Sequence, residues 1–153
     1  MSLQAIAKYQ GLRTKFYTHF RRHFFLKLKL VDAGPIEDAH LWEARAWQNR
    51  RRPQDWFELR RKFRRVPGRL ELAVSIQGEL CGLVVGKPSH GKTRLKACHF
   101  EVKPDFDPDR KALLLLMHAM TLWGVFLGST EVWMARSASR HWRITAGAKN
   151  YFF

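Results

Sequence analysis

The chain has only two cysteines, Cys81 and Cys98. That excludes a disulfide-stapled scaffold. Neither cysteine sits in a C-x-x-C pair, and the seven histidines show no H-E-x-x-H or similar ligand spacing, so no metal site is expected. No Ser/His/Asp or Cys/His triad can be argued from spacing alone. No basic-then-apolar leader opens the sequence, so a reducing, cytoplasmic setting is the expectation. A full membrane span is lacking too. The longest uncharged run, Ala112–Gly128, has 17 residues and includes His118, Thr121 and two glycines. A span takes about 20 apolar residues. This run reads instead as a helix buried inside a domain, and no integral membrane segment is expected. Acidic residues are also scarce, 13 against 28 Lys and Arg.

The residues present point to one domain with a real core. The 153 residues are 46% apolar and 13% aromatic, too rich for a disordered basic tail. The formal charge is +15, and it is uneven. Residues 1–69 carry 17 Lys and Arg against 6 Asp and Glu, while residues 70–153 carry 11 against 7. Such a field attracts polyanions: nucleic acid, an anionic membrane surface or an acidic partner.

Periodicity gives an element order. Residues 3–23 read as a basic helix with Ala5, Leu12, Phe16 and Phe20 on one face. Phe24 to Val31 changes period, with Leu26, Leu28 and Leu30 alternating with Lys27 and Lys29 as in a strand. Gly34-Pro35 stops it. A helix over about 37–51 comes next, then Pro53 and a second helix over about 54–65. Leu70–Ile76 and Leu80–Val85 flank a Gln77-Gly78-Glu79 turn as a hairpin. Leu95–Val102 is a third strand of this group. Asp107-Pro108 suits the start of the long apolar helix. Glu131–Ala135 is a strand, 138–146 a short helix stopped by Gly147, and Tyr151–Phe153 the start of a last strand. The fold class expected is α/β with a mixed sheet flanked by helices. No internal repeat occurs.

In this order, LKLVDAGPIEDAHLWEARAW, LAVSIQGELCGLVVGKP, HFEVKPDF, KALLLLMHAMTLWGVFLGSTEVWM and SASRHWRITAGAKNYFF resemble successive pieces of the Gcn5-related N-acetyltransferase (GNAT) superfamily. The resemblance covers about residues 26–153. It implies a basic helix at 1–24 added to a GNAT-like domain at 25–153. It implies an N-acyltransferase-like function, with acetyl-CoA as donor and an amine as acceptor. Glu101 would be the general base. The backbone of Val102, Lys103 and Pro104 would hold the acyl end, and Arg110 and Lys111 would take the cofactor phosphates. The sequence also departs from the family. Between the Val-x-Pro strand and the long helix the family has a glycine-bearing loop whose N–H groups cradle pyrophosphate. Here the interval is DFDPDRK, with no glycine, three aspartates and a proline. Arg143 stands where the family has its tyrosine general acid. A degenerate scaffold that binds no cofactor is therefore the other expectation.

Three further features carry chemistry. Glu101 and His99 fall on one face of their strand, His99 as a proton relay or a packed side chain. Gly86-Lys87-Pro88-Ser89-His90-Gly91-Lys92-Thr93 matches G-x-x-x-x-G-K-[ST], yet Arg94 to Val102 reads as strand rather than helix, so the match is expected to be a hairpin loop. Arg50, Arg51, Arg52, Arg60, Arg61, Arg64 and Arg65 form the richest basic cluster, with Phe57 among them. Arginine forks grip phosphates and an exposed ring stacks on bases. This supports the second functional expectation, a non-catalytic nucleic-acid-binding protein. The first helix, basic and aromatic, could pack on its own domain, lie on an anionic membrane, or pair in a homodimer.

Overall fold

The computed structural model of the chain describes residues 2–27, 31–104, 111–136 and 140–145. Its centre is a mixed six-stranded sheet: β1 (Val31–Gly34), β2 (Leu70–Ile76), β3 (Glu79–Pro88), β4 (Arg94–Val102), β5 (Glu131–Arg136) and β6 (Arg140–Thr145) lie side by side in chain order. All neighbours are antiparallel except β4 and β5, which are parallel. A parallel neighbour needs a crossover, and the long helix α4 (Lys111–Leu127) supplies it.

Alternation along the strands divides two cores. In β2, Leu70, Leu72 and Val74 point into one apolar cluster and Ala73 into the other. The first cluster lies under α4 and the N-terminal helix α1 (Leu3–Lys27). There Phe16, Phe20 and Trp123 are fully buried, with the Phe16 and Trp123 rings edge to face at 5.3 Å. The Trp123 indole N–H, which needs a partner once buried, donates to the Gly68 carbonyl at 3.1 Å. The second cluster lies under α2 (Asp38–Arg45) and α3 (Trp56–Phe63). Trp56, Leu59 and Phe63 bury the apolar face of α3, as the spacing predicts.

Several expectations need correction. The strand expected over Phe24–Val31 begins only at Val31, because α1 runs on to Lys27; each added helical residue gains a backbone bond at little cost once a helix is anchored. The helix expected over 37–51 stops at Arg45, and Asn49 takes a positive φ of 59°. The loop after α2 is the segment that brings Arg50 back toward β4. The short helix expected over 138–146 is instead the edge strand β6, and Trp142 and Ile144 alternate in sequence as a strand requires. The last strand expected at Tyr151–Phe153 lies outside the described residues. No described helix is long and apolar enough to cross a membrane.

Candidate functional site

The site begins with a bulge in β4. Val85 pairs with His99 and Gly86 with Ala97, leaving Cys98 as an extra residue. Gly86 is required there, since a Cβ on it would come within 2.4 Å of the Lys96 carbonyl oxygen. Beyond the bulge, His99 reaches Gln54 and Phe63, and Glu101 reaches Arg50 and Trp56, all on the side covered by α2 and α3.

Glu101 is saturated with donors. Arg50 gives it Nε at 2.6 Å and Nη2 at 2.7 Å, and the Trp56 indole N–H donates at 2.7 Å. The Gln54 backbone N–H is the fourth donor at 3.4 Å. The two charged side chains are about a tenth exposed, 11% for Arg50 and 10% for Glu101. Hydrogen bonding to Glu101 pushes the Arg50 guanidinium further toward its charged form. A general base needs an open lone pair. This carboxylate spends its oxygens on fastening the 50–56 segment to β4.

His99 is built differently. Its Nδ1 lies 3.2 Å from Gln54 Oε1, an arrangement that assigns the proton to Nδ1 and the lone pair to Nε2. Among the described residues nothing bonds Nε2. Burial, and then the positive charge of Lys62, hold its pKa below the ordinary histidine value of 6.5. Both causes favour the neutral ring. Cys98 beside it is a weak thiol, its pKa pushed up by burial.

Above Arg50, Gln54 and Trp56 opens a groove of about 420 Å³ between α2 and α3, walled also by Leu41, Arg45 and Phe57. The ring of Phe57, which lines it, meets that of Trp42 at 4.9 Å, and Trp42 is 59% exposed.

On the β5 side, β4 opens. The two strands pair only from Arg94–Ala97 against Glu131–Met134, although β4 continues to Val102. The Lys103 N–H donates to the Cys81 carbonyl on the β3 side, at 2.9 Å. By the two-residue alternation of a strand, Phe100 and Val102 turn their N–H and C=O groups toward the opening. The helix α4, from Lys111, has no acidic residue in its first turn.

This architecture is a GNAT-like fold. Solved acetyltransferases share it. The ribosomal-protein-S18-alanine N-acetyltransferase from Escherichia coli is 15% identical, over 72% of this chain and 70% of that one, with a TM-score of 0.53. The aminoglycoside 6'-N-acetyltransferase from Enterococcus faecium is 14% identical, over 67% of this chain and 58% of that one, with a TM-score of 0.54. AAC(6')-Iy, solved with the bisubstrate analog CoA-S-monomethyl-acetylneamine, is 13% identical over 72% of this chain and 82% of that one, TM-score 0.51. No family model and no curated protein matches the chain.

A CoA-based bisubstrate analog is bound in one of these neighbours. For the thioester end of such a group this chain offers the β4 edge at Phe100 and Val102, which pairs with no strand among the described residues. At the phosphate end the chain differs in sequence, with Asp105, Asp107 and Asp109 against Arg110 and Lys111. Residues 105–110, Arg110 among them, lie outside the described residues, and Lys111 is the first residue of α4. Val102 is the last residue of β4, Lys103 and Pro104 come directly after it, and the Lys103 ammonium is paired with Glu79.

The arginines divide. Arg50 belongs to Glu101, and Arg60 pairs with Asp38. Arg51, Arg52, Arg61, Arg64 and Arg65 are exposed. The G-x-x-x-x-G-K-T segment is the β3–β4 hairpin connection, closed by Ser89 N–H to the Arg94 carbonyl at 2.7 Å, and it opens no helix. Sequence reasoning missed Trp42, Arg45, Gln54 and the polar half of Trp56. The one available signal was that a buried tryptophan requires an acceptor.

Proposed function

We propose that the chain is an N-acyltransferase that moves an acyl group from a coenzyme A thioester to a primary amine. The parting of β4 from β5 beyond Ala97 and Met134 carries this reading. Among the described residues it leaves backbone donors of one strand without a strand partner, beside the side chains of the same strand. When bound, the thioester supplies an activated acyl carbon. The N–H groups of Phe100 and Val102 would polarise its carbonyl, as fixed dipoles do at a developing oxyanion. The amine nitrogen would bond to that carbon as the C–S bond breaks and coenzyme A leaves as the thiol, its excess proton passing to His99 Nε2; Gln54 fixes the tautomer that makes this nitrogen the acceptor. Glu101 holds Arg50, Gln54 and Trp56 in place as a positioning residue.

The test is a melting curve with acetyl-CoA, with coenzyme A and a polyanion as controls, then thiol release in the presence of an amine. A ligand that binds the native state raises the melting temperature by mass action. A rise with acetyl-CoA and not with the polyanion, together with amine-dependent thiol release, is the expected result. Equal rises with both, and no thiol release, would overturn the reading.

The exposed cations Arg61, Lys62, Arg64 and Arg65 favour a second reading, a nucleic-acid-binding surface along α3 and the turn after it. No acidic side chain lies within that run.

A further inference from the structure

The α2–α3 groove holds more recognition chemistry than proton transfer requires. Beside the lining residue Phe57 stands a large exposed aromatic side chain, Trp42, in edge-to-face contact with it. The Arg45 guanidinium lies 5.6 Å from the centre of the Trp42 ring and lines the groove. Arg45 makes no ion pair among the described residues. Arg50 spends Nε and Nη2 on Glu101 and Gln54, while its Nη1 makes no hydrogen bond among the described residues. Arg60 pairs with Asp38, and Glu43 accepts from the Leu80 N–H. Asp55 lines the groove with Arg45 and accepts the Glu58 N–H that caps α3. The groove therefore offers an aromatic side chain, a guanidinium at Arg45 and a carboxylate at Asp55. A carboxylate would meet the guanidinium fork, and an ammonium group the Asp55 carboxylate.

Resting on the acyl-transfer reading, we infer that the acceptor is an aromatic α-amino acid. Its ring would lie against Phe57 and its neighbour Trp42, its carboxylate on Arg45 and Arg50, and its amine toward Gln54 and Asp55. Amine, carboxylate and planar ring each match a feature of the groove. The volume of about 420 Å³ lies within the range of small-molecule sites.

The test is calorimetric binding to the full chain, without acyl donor. The probes are L-phenylalanine, 3-phenylpropionate, phenethylamine and spermidine. L-Phenylalanine and 3-phenylpropionate are expected to bind, phenethylamine about tenfold more weakly or worse for want of the charge-assisted bond, and spermidine, which offers neither ring nor carboxylate, no better than phenethylamine. Arg45→Gln should weaken L-phenylalanine and leave phenethylamine unchanged. Trp42→Ala should weaken both. Both side chains are exposed, so both variants should melt as the parent does. Phenethylamine binding as well as L-phenylalanine, spermidine binding tighter than either, or indifference to both substitutions would overturn the inference. So would displacement of L-phenylalanine by a short oligothymidine that binds tighter, which would give the groove to nucleic acid. If thiol release occurs with other amines while L-phenylalanine fails to bind, the inference falls and acyl transfer stands. If L-phenylalanine binds while acetyl-CoA does not, acyl transfer falls and the groove keeps its ligand.

Discussion

Arg50 grips Glu101 with two nitrogens at 2.6 and 2.7 Å, across 51 residues of sequence and nearly out of reach of solvent. The pair closes the loop after α2 onto β4. Removing one partner of a buried pair strands the other, at a cost of about 3–5 kcal/mol. Glu101→Gln should therefore lower the melting temperature by roughly 10 °C for a chain of this size. Pairing it with Arg50→Met should recover much of that loss. A merely catalytic Glu101 would give the opposite pattern: an unchanged melt and a collapsed turnover. Circular dichroism melts of the single and double variants check this.

The N-terminal helix is part of the core. Phe16 is 1% exposed and its ring meets those of Tyr17, Phe20, Trp123 and Phe126. Emptying a site of that kind costs about 3–5 kcal/mol. Phe16→Ala should cost that much by urea titration, and Phe16→Leu distinctly less. If α1 were a loosely attached arm, neither substitution would move the midpoint.

Gly86 and Lys96 set the bulge that turns His99 toward Gln54. A Cβ at Gly86 would sit 2.4 Å from a backbone oxygen, which cannot swing away as a side chain can. Gly86→Ala should cost about 1–3 kcal/mol, the usual range for overpacking. It should also shift the His99 ring resonances in a proton–carbon correlation spectrum. A stable variant with unmoved His99 signals would show that the bulge does not position the ring.

Much of the sheet was legible in the sequence because its cause is local. Leu70, Leu72 and Val74 alternate with smaller or polar residues, and the Gln77-Gly78 turn uses two positive φ angles. The apolar face of α3 was legible for the same reason. The hidden features depended on distant partners. Glu101 reads from sequence as a free carboxylate on a strand, and only the fold shows that Arg50 and Trp56 occupy it. Arg45 and Trp42 sit in a short helix whose apolar pattern says nothing of a groove; Phe57 on the other helix completes it. Residues 140–145 read as helix because single-residue preferences there are weak. Pairing with β5 decides their state.

The exposed cations after α3 predict a salt signature. Each phosphate neutralised on a single strand contributes about 0.7 to the slope of log affinity against log salt. Replacing Arg61, Arg64 and Arg65 together with Gln should reduce the slope for oligothymidine by about 2. The same triple variant should leave L-phenylalanine binding intact, because none of the three lines the groove. Fluorescence anisotropy at several salt concentrations measures the slope, and an unchanged slope would remove α3 as the polyanion surface.

If His99 accepts the proton as proposed, it should link pH to both stability and turnover. Its folded pKa lies below 6.5, through burial first and Lys62 second. Between the folded value and 6.5 the unfolded chain therefore binds more protons than the folded one. Stability must rise with pH through that window and level off above it. The same ionisation should set the acid limb of kcat/KM for acyl transfer, with its midpoint below 6.5, since only neutral His99 can accept the proton from the amine. Lys62→Gln removes one of the two causes, so it should move the limb upward toward 6.5. His99→Gln should abolish the limb along with most of the rate, and the double variant should behave as His99→Gln alone. Proton NMR titration of the ring, run beside the rate profile, tells whether both report one group. A limb that stays fixed under Lys62→Gln while the ring titration moves would assign the base to another residue.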